Sequence, residues 1–429
     1  MTTATLVLPS VALTGRSSAV CCSRVGQGDV TRTLETYTLR TGPHQSDGRG
    51  VPDRQAVGKE ASVELELTEE QAFFVETTRR FLDAECSIPA VRDLEDEPAG
   101  YDPNVWAQGA QLGWTSLLVP EADGGGSFSE HGLLDLVLVA EEMGRVVAPG
   151  PLGPVNVVAG LLGRVGSPEQ KAEVLPGLLT GERVAAWCGA RPVSGRPDGG
   201  GFVLSGTCSP VEAGAQADHL LVAVEHEGAC SQVLVPAGAV GLTVSPMSGL
   251  DLVRRFAEVR FDDVAVPGDA VVGSVGAAAE VEYALRVACT LQCAETTGIM
   301  DEVFTMTVEY LGDRYSFGRP LSSYQALKHR VADDKVVLEA CHGIATAAAR
   351  AVATGRPDAG EVVSAAKAWI GPRATDVIQD CIQLPGGIGV TWEHDLHLYL
   401  RRATVNRATH GTPEEHAERV AATKLGATA

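Results

Sequence analysis

Four short stretches in the second half of this 429-residue chain hold side chains able to do chemistry. Arg314-Tyr315-Ser316-Phe317-Gly318-Arg319-Pro320 is followed by Gln325. Arg314 offers a planar fork of donors suited to a diphosphate, or else closes a helix by satisfying its last carbonyls. Gln383-Leu384-Pro385-Gly386-Gly387-Ile388-Gly389 reads either as backbone that lets a ligand approach closely or as a plain helix stop. Its Gly-Gly-x-Gly run lacks the flanking strand and helix of a dinucleotide fingerprint. His410-Gly411-Thr412 supplies an imidazole, which near its usual pKa is a competent base at neutral pH; a histidine capping a turn or facing solvent is the alternative. Trp392-Glu393-His394-Asp395-Leu396-His397 brings two histidines within one helical turn, but no third soft ligand follows. Structural hydrogen bonding is the reading there, and no metal site is expected. Gly-x-Ser-x-Gly does not occur, so hydrolysis by a serine nucleophile finds no support.

The elements that must position these groups change character along the chain. Residues 1–62 are rich in Ser, Thr, Gly and Arg without hydrophobic periodicity, and read as a disordered extension. Leu6–Leu13 is too short and too poorly preceded by positive charge for a secretory signal. From 63 to 181 the pattern is mostly helical: Thr68 with Gln71 fits a capping box, and helices are expected around Val105–Gly113, Leu133–Gly144 and Pro168–Thr180. From 182 to 275, short Val-, Leu- and Phe-rich runs broken by Gly, Pro and Asp predict strands at Phe202–Leu204, His219–Val224, Gln232–Val235, Leu242–Val244 and Phe256–Phe261. From 276 to 429 long Ala-rich helices return, roughly 278–313, 321–354 and 358–384. The fold class is therefore α+β and multidomain: an N-terminal helical domain, a middle β-barrel or sandwich, and a C-terminal four-helix-bundle-like domain. The alternation that builds a doubly wound nucleotide fold is missing.

The bulk numbers exclude other classes. A net charge of -21 argues against nucleic acid as partner. No run of eighteen or more uncharged apolar residues predicts a membrane span. The ten cysteines are dispersed, which suits a reducing cytoplasm, and Cys289 and Cys293 read as small apolar side chains in a buried helix.

Across residues 66–429 the order and spacing of motifs resemble the acyl-CoA dehydrogenases. Leu112-Gly113 with Leu118-Val119-Pro120-Glu121 resembles the N-terminal signature of that family. Glu169-Gln170-Lys171 with Leu175-Pro176-Gly177-Leu178 is similar to its helix leading into the β-domain, and Val259–Pro267 to the strand leaving it. The Arg314–Pro320 and Gln383–Gly389 stretches are the most specific matches. The resemblance implies an FAD-dependent oxidoreductase of fatty acid or steroid metabolism, desaturating an acyl thioester carried on CoA or a carrier protein. No amino acid accepts hydride, so a flavin takes the Cβ hydride while a base takes the Cα proton. It further implies that Arg314, Phe317 and Gln325 hold the adenosine and pyrophosphate end of FAD across a subunit interface, that Gln383, Gly386 and Gly387 meet the cofactor, and that Thr412 lies beside it. A tetramer and an electron-transfer flavoprotein as electron acceptor follow from the same likeness.

Two stretches depart from the family pattern. Where Thr-Glu-Pro is usual in the strand facing the flavin ring, this chain reads Ala190-Arg191-Pro192, with Arg196 beyond. Where the base is commonly a Glu before Gly-Thr, His410 stands; the other customary position falls near Ala288, with Glu282 and Glu295 off register. Three readings stay open: a dehydrogenase using His410, a partner subunit lending only the FAD adenosine site to a mixed oligomer, or other flavin chemistry such as monooxygenation.

Overall fold

The computed structural model describes residues 67–426; the expectations for 1–62, including Leu6–Leu13, lie outside the described residues. Helix α1 (Glu69–Glu85) opens with the capping box foreseen, Thr68 Oγ1 accepting from Gln71 N at 3.1 Å and Gln71 Oε1 accepting from Thr68 N at 3.2 Å. Five further helices follow: α2 (Ile88–Asp93), α3 (Pro103–Gln111), α4 (Gly132–Arg145), α5 (Leu152–Val165) and α6 (Pro168–Leu179). Sequence periodicity misses α5 because it is apolar on nearly every side, as befits a helix buried almost throughout.

Strands β1 (Ala185–Asp198), β2 (Gly201–Glu212), β3 (His219–His226), β4 (Ala229–Pro236), β5 (Leu242–Met247), β6 (Phe256–Val266) and β7 (Val271–Val272) form one mixed sheet in the order β5-β6-β2-β1-β3-β4-β7. Its pairs are antiparallel except β1 with β3. Two register breaks matter. β1 slips against β3 between Cys188 and Val193, and β2 slips against β6 between Cys208 and Val211. Bulges of this kind free a strand from its ladder and re-aim side chains. Residues of both breaks, Cys188, Gly189 and Arg191 from the first and Cys208 to Val211 from the second, line one cavity.

Helices α7 (Ala278–Asp313), α8 (Gln325–Ala353), α9 (Ala359–Gln383), α10 (Leu396–Ala408) and α11 (Pro413–Leu425) complete the described chain. Among the described residues α8 is the helix long and apolar enough to cross a membrane by composition, and it packs against α7 and α9 within the bundle. Helix α4 lies directly on α7. A Cβ on Gly144 would come within 2.1 Å of the Glu295 carbonyl, and one on Gly298 within 2.0 Å of the Glu141 carbonyl. The two glycines thus set the helix spacing, and with it the depth at which Glu295 sits. Cys289 and Cys293 are buried on α7, as their reading required.

Candidate functional site

Two adjoining cavities lie between the sheet and the helices, and His410 lines both. It sits just past α10 in the left-handed region (φ 59°), with its ring half-buried 5.5 Å from the Trp187 ring. Trp187 is held by its Nε1 donating to Gln232 Oε1 at 3.2 Å, and its indole covers Gly189, where a Cβ would fall within 1.9 Å of the ring. The inner cavity, bounded by α4, α5, α7 and Trp187, measures about 40 Å³. That is space for a few waters at most. The outer one measures about 430 Å³, with Trp187, Phe256 and Leu285 as apolar walls and Arg191, Thr412, His416 and Arg419 among its polar ones.

The ordinary basicity of an imidazole does not survive here. Burial, then the Lys367 ammonium, then Arg254 and His416 push His410 down to about 3. His416, which is within 3.0 Å of the His410 carbonyl, is pushed down to about 4, by burial first and Lys367 next. Lys367 itself is buried on α9, donating to Gln292 Oε1 (2.8 Å), Asn406 O (2.6 Å) and Thr409 O (3.0 Å). Its signal in the sequence is a lone cation within Ala366-Lys367-Ala368-Trp369-Ile370, an otherwise apolar run. A neutral His410 can accept a proton, but the neighbouring cations disfavour the imidazolium that would result.

Behind the cavities lies a buried charge cluster that spacing alone does not reveal. Arg254 donates to both oxygens of Glu295 (2.7 and 2.9 Å) and to Asn406 Oδ1 (2.6 Å), and pairs with Glu212 at 3.2 Å. Arg402 donates to Glu295 (2.8 Å) and to Asp251. Glu295 accepts also from Asn406 Nδ2 at 2.9 Å. Although burial raises its pKa, Arg254 and Arg402 outweigh that, and the carboxyl is held below its usual value. A carboxylate so saturated is a poor proton acceptor. Glu282 is also occupied, paired with Arg419 at 2.6 Å on the surface. Glu212 differs: burial raises its pKa, its contact among the described residues is the pair with Arg254, and it lines both cavities.

The remaining predicted residues sit elsewhere. Arg314 caps α7 with its backbone N–H on the Tyr310 carbonyl, while its side chain is exposed and makes no hydrogen bond to the described residues. The short hairpin of Tyr315–Ser316 with Arg319–Pro320 then turns through Phe317 (φ 50°) and Gly318 (φ 78°), leaving Phe317 98% exposed. Gln325 opens α8 and Gln383 ends α9, both exposed. Gly386 needs glycine for its φ of 76°; at Gly387 a Cβ would meet nothing within 4 Å, so no contact among the described residues explains that glycine. Thr412 caps α11 in a capping box, its Oγ1 accepting from Glu415 N at 3.2 Å. Of all these, only His410 and Thr412 line the cavities. His394 and His397 do not converge: His397 stacks on Trp392 at 4.5 Å, and His394 Nδ1 accepts from Leu396 N.

Residues 68–182 match the acyl-CoA dehydrogenase N-terminal domain, and residues 279–425 match the acyl-CoA dehydrogenase C-terminal domain. The chain belongs to the acyl-CoA dehydrogenase family. It is similar to the acyl-CoA dehydrogenase IpdE2 of Mycolicibacterium smegmatis (29% identity over 83% of this chain and 99% of that protein). It is also similar to FadE27 of Mycobacterium tuberculosis (29%, over 75% of this chain and 88% of that one). Among solved structures it resembles a variant of the Tcur3481-Tcur3483 steroid ACAD (28% identity, 84% of this chain and 99% of that one, TM-score 0.75). The ChsE4-ChsE5 complex from Mycobacterium tuberculosis is similar too (26%, 86% and 100%, TM-score 0.77).

Membership makes this an acyl-CoA dehydrogenase-type oxidoreductase with FAD as cofactor, the group that supplies hydride acceptance when bound. The chain's own residues fit FAD unevenly. The exposed Arg314, Phe317 and Gln325, with the open backbone at Gly387, fit a phosphate-bearing, planar group arriving from outside. The outer cavity fits the ring poorly. The polar edge of an oxidised isoalloxazine is mostly acceptors, yet three of the cavity's neutral donors are already committed. Cys208 Sγ points to the Cys188 and Arg191 carbonyls, Ser209 Oγ to Met247 Sδ, and Thr409 Oγ1 to the Val405 carbonyl.

Proposed function

We propose that this acyl-CoA dehydrogenase works as one half of a mixed oligomer, lending the adenosine and pyrophosphate side of an FAD whose ring and catalytic base belong to a second, related subunit. The observation that carries the reading is the contrast within one chain. An exposed half-site is offered to solvent around Phe317, while the inner of the two cavities beside His410, walled by Trp187, measures about 40 Å³ and is backed by a buried ion-pair cluster. An acyl chain has no room there. Two resembling structures carry paired names, Tcur3481-Tcur3483 and ChsE4-ChsE5, which supports a two-component assembly. The first is called a steroid ACAD, so a steroid-derived acyl thioester is the substrate class we favour, with electrons passing to an electron-transfer flavoprotein in the cytoplasm.

A self-sufficient dehydrogenase is the second reading, favoured by the outer cavity of about 430 Å³ with His410 on its wall. An absorption spectrum over the flavin bands, taken on the chain purified alone and again after co-purification with a related subunit, separates the two. A colourless solo sample that gains flavin with the partner bears out the mixed oligomer. Flavin bands in the solo sample, bleached by an acyl thioester, would overturn it.

A further inference from the structure

The five charged groups in mutual contact behind the cavities are three acids, Glu212, Asp251 and Glu295, and two guanidiniums, Arg254 and Arg402. Asp251 and Glu295 are saturated by the arginines and, for Asp251, by the backbone N–H groups of Val253 and Arg254 at 2.9 Å. Glu212 has the fewest partners of the three acids, its ion pair being the one with Arg254 at 3.2 Å. It is the last residue of strand β2, paired with Phe256 of β6 just past the register break, and it lines both cavities.

From this placement we infer that Glu212 is the residue that keeps the flavin ring out of this chain's own cavity, so that ring selection between subunits is set by one carboxylate. An ionised carboxylate is an acceptor without a proton to give. Facing the acceptor-rich edge of an oxidised isoalloxazine, it opposes lone pairs with lone pairs. The donors of Cys208, Ser209 and Thr409 are already committed and do not offset that repulsion. The inference deepens the mixed-oligomer reading and rests on it.

Charge supports the same assignment. The groups facing Glu212 are Arg254 from the loop before β6, Glu295 from α7, Arg402 from α10 and His410 beyond it, with Asp251 behind Arg402 and Lys367 behind Asn406. Burial, with Glu295 and Asp251 adding to it, raises the Glu212 pKa against the pull of Arg254 and Arg402. Acidification therefore turns this acceptor into a donor before it alters the saturated acids. Removing the Glu212 charge leaves two acids against two arginines, so Glu212→Gln keeps the cluster matched and the fold intact.

Riboflavin, which carries the ring without phosphate or adenosine, is the probe. The full-length chain, Glu212→Gln and Glu212→Ser are each titrated with riboflavin by fluorescence, with circular dichroism checking the fold. Wild type should bind weakly, both variants on the order of tenfold or more tightly, about the worth of one hydrogen bond gained. Wild-type affinity should also rise on acidification from about pH 7, while Glu212→Gln stays flat. If the folded variants bind no better than a weakly binding wild type, or wild-type affinity is flat with pH, Glu212 is not the selector and the mixed-oligomer reading stands. If wild type binds riboflavin as tightly as the variants, the inference fails together with that reading.

Discussion

Arg254 Nη2 lies 2.7 and 2.9 Å from the two carboxylate oxygens of Glu295, and this single contact ties the loop entering β6 to the middle of α7. The pair closes the inner wall of the inner cavity and, with Arg402 on α10, fixes the β-domain against the helices. Replacing Glu295 with Ala strips two buried guanidiniums of their shared counter-ion. We expect a loss of about 3–5 kcal/mol in urea unfolding, the usual consequence of breaking a buried pair from one side. A loss below ~1 kcal/mol would show the cluster to be solvated like a surface pair.

The depressed histidines predict an acid-sensitive fold. The folded chain refuses protons at His410 down to about pH 3 and at His416 down to about 4, whereas the unfolded chain takes them up near ~6.5. Their contribution is complete above that value and shrinks as pH falls below it, by up to ~1.4 kcal/mol per pH unit for each ring. Melting temperature against pH, compared with His410→Gln, reads the slope. Lys367→Met should raise the His410 pKa seen by NMR, because the ammonium is the largest charge opposing the imidazolium.

Phe317 makes the opposite prediction. Its ring is almost wholly exposed and its backbone is in a region that bulky residues avoid, so Phe317→Ala should leave stability within about 0.5 kcal/mol. Flavin retention by the mixed oligomer should nevertheless fall, by roughly tenfold or more if a packed aromatic contact is lost. Unchanged flavin content on a desalting column would remove Phe317 from the cofactor site.

Thr412 separates a structural role from a cofactor role. Its hydroxyl accepts from Glu415 N in the α11 capping box, so Thr412→Ala should cost about 1 kcal/mol. Thr412→Ser keeps the cap and should restore both stability and whatever flavin the oligomer holds. A serine variant that is stable but flavin-poor would give the methyl group a part in binding the cofactor.

The sequence by itself determined the family and the order helical–β–helical. Those features are local: Thr68 caps α1, the long Ala-rich runs can only be helices, and the Arg314–Pro320 and Gln383–Gly389 motifs are contiguous. Counting along one segment also put His410 where the resemblance leads one to expect an acid.

What only the tertiary structure decided is how those groups behave. His410 reads as an ordinary base until Lys367, 43 positions earlier in the chain and on another helix, and Arg254, from the β-domain, are brought beside it. Glu295 reads as an unattached carboxylate until Arg254 and Arg402 converge on it, and Glu212 reads as the end of a strand until the packing of sheet on helices places it at both cavities. Periodicity reports which face of an element is buried. It carries no record of which charge, from which distant element, is buried with it, and electrostatic character depends on that neighbour and on the exclusion of water between the two.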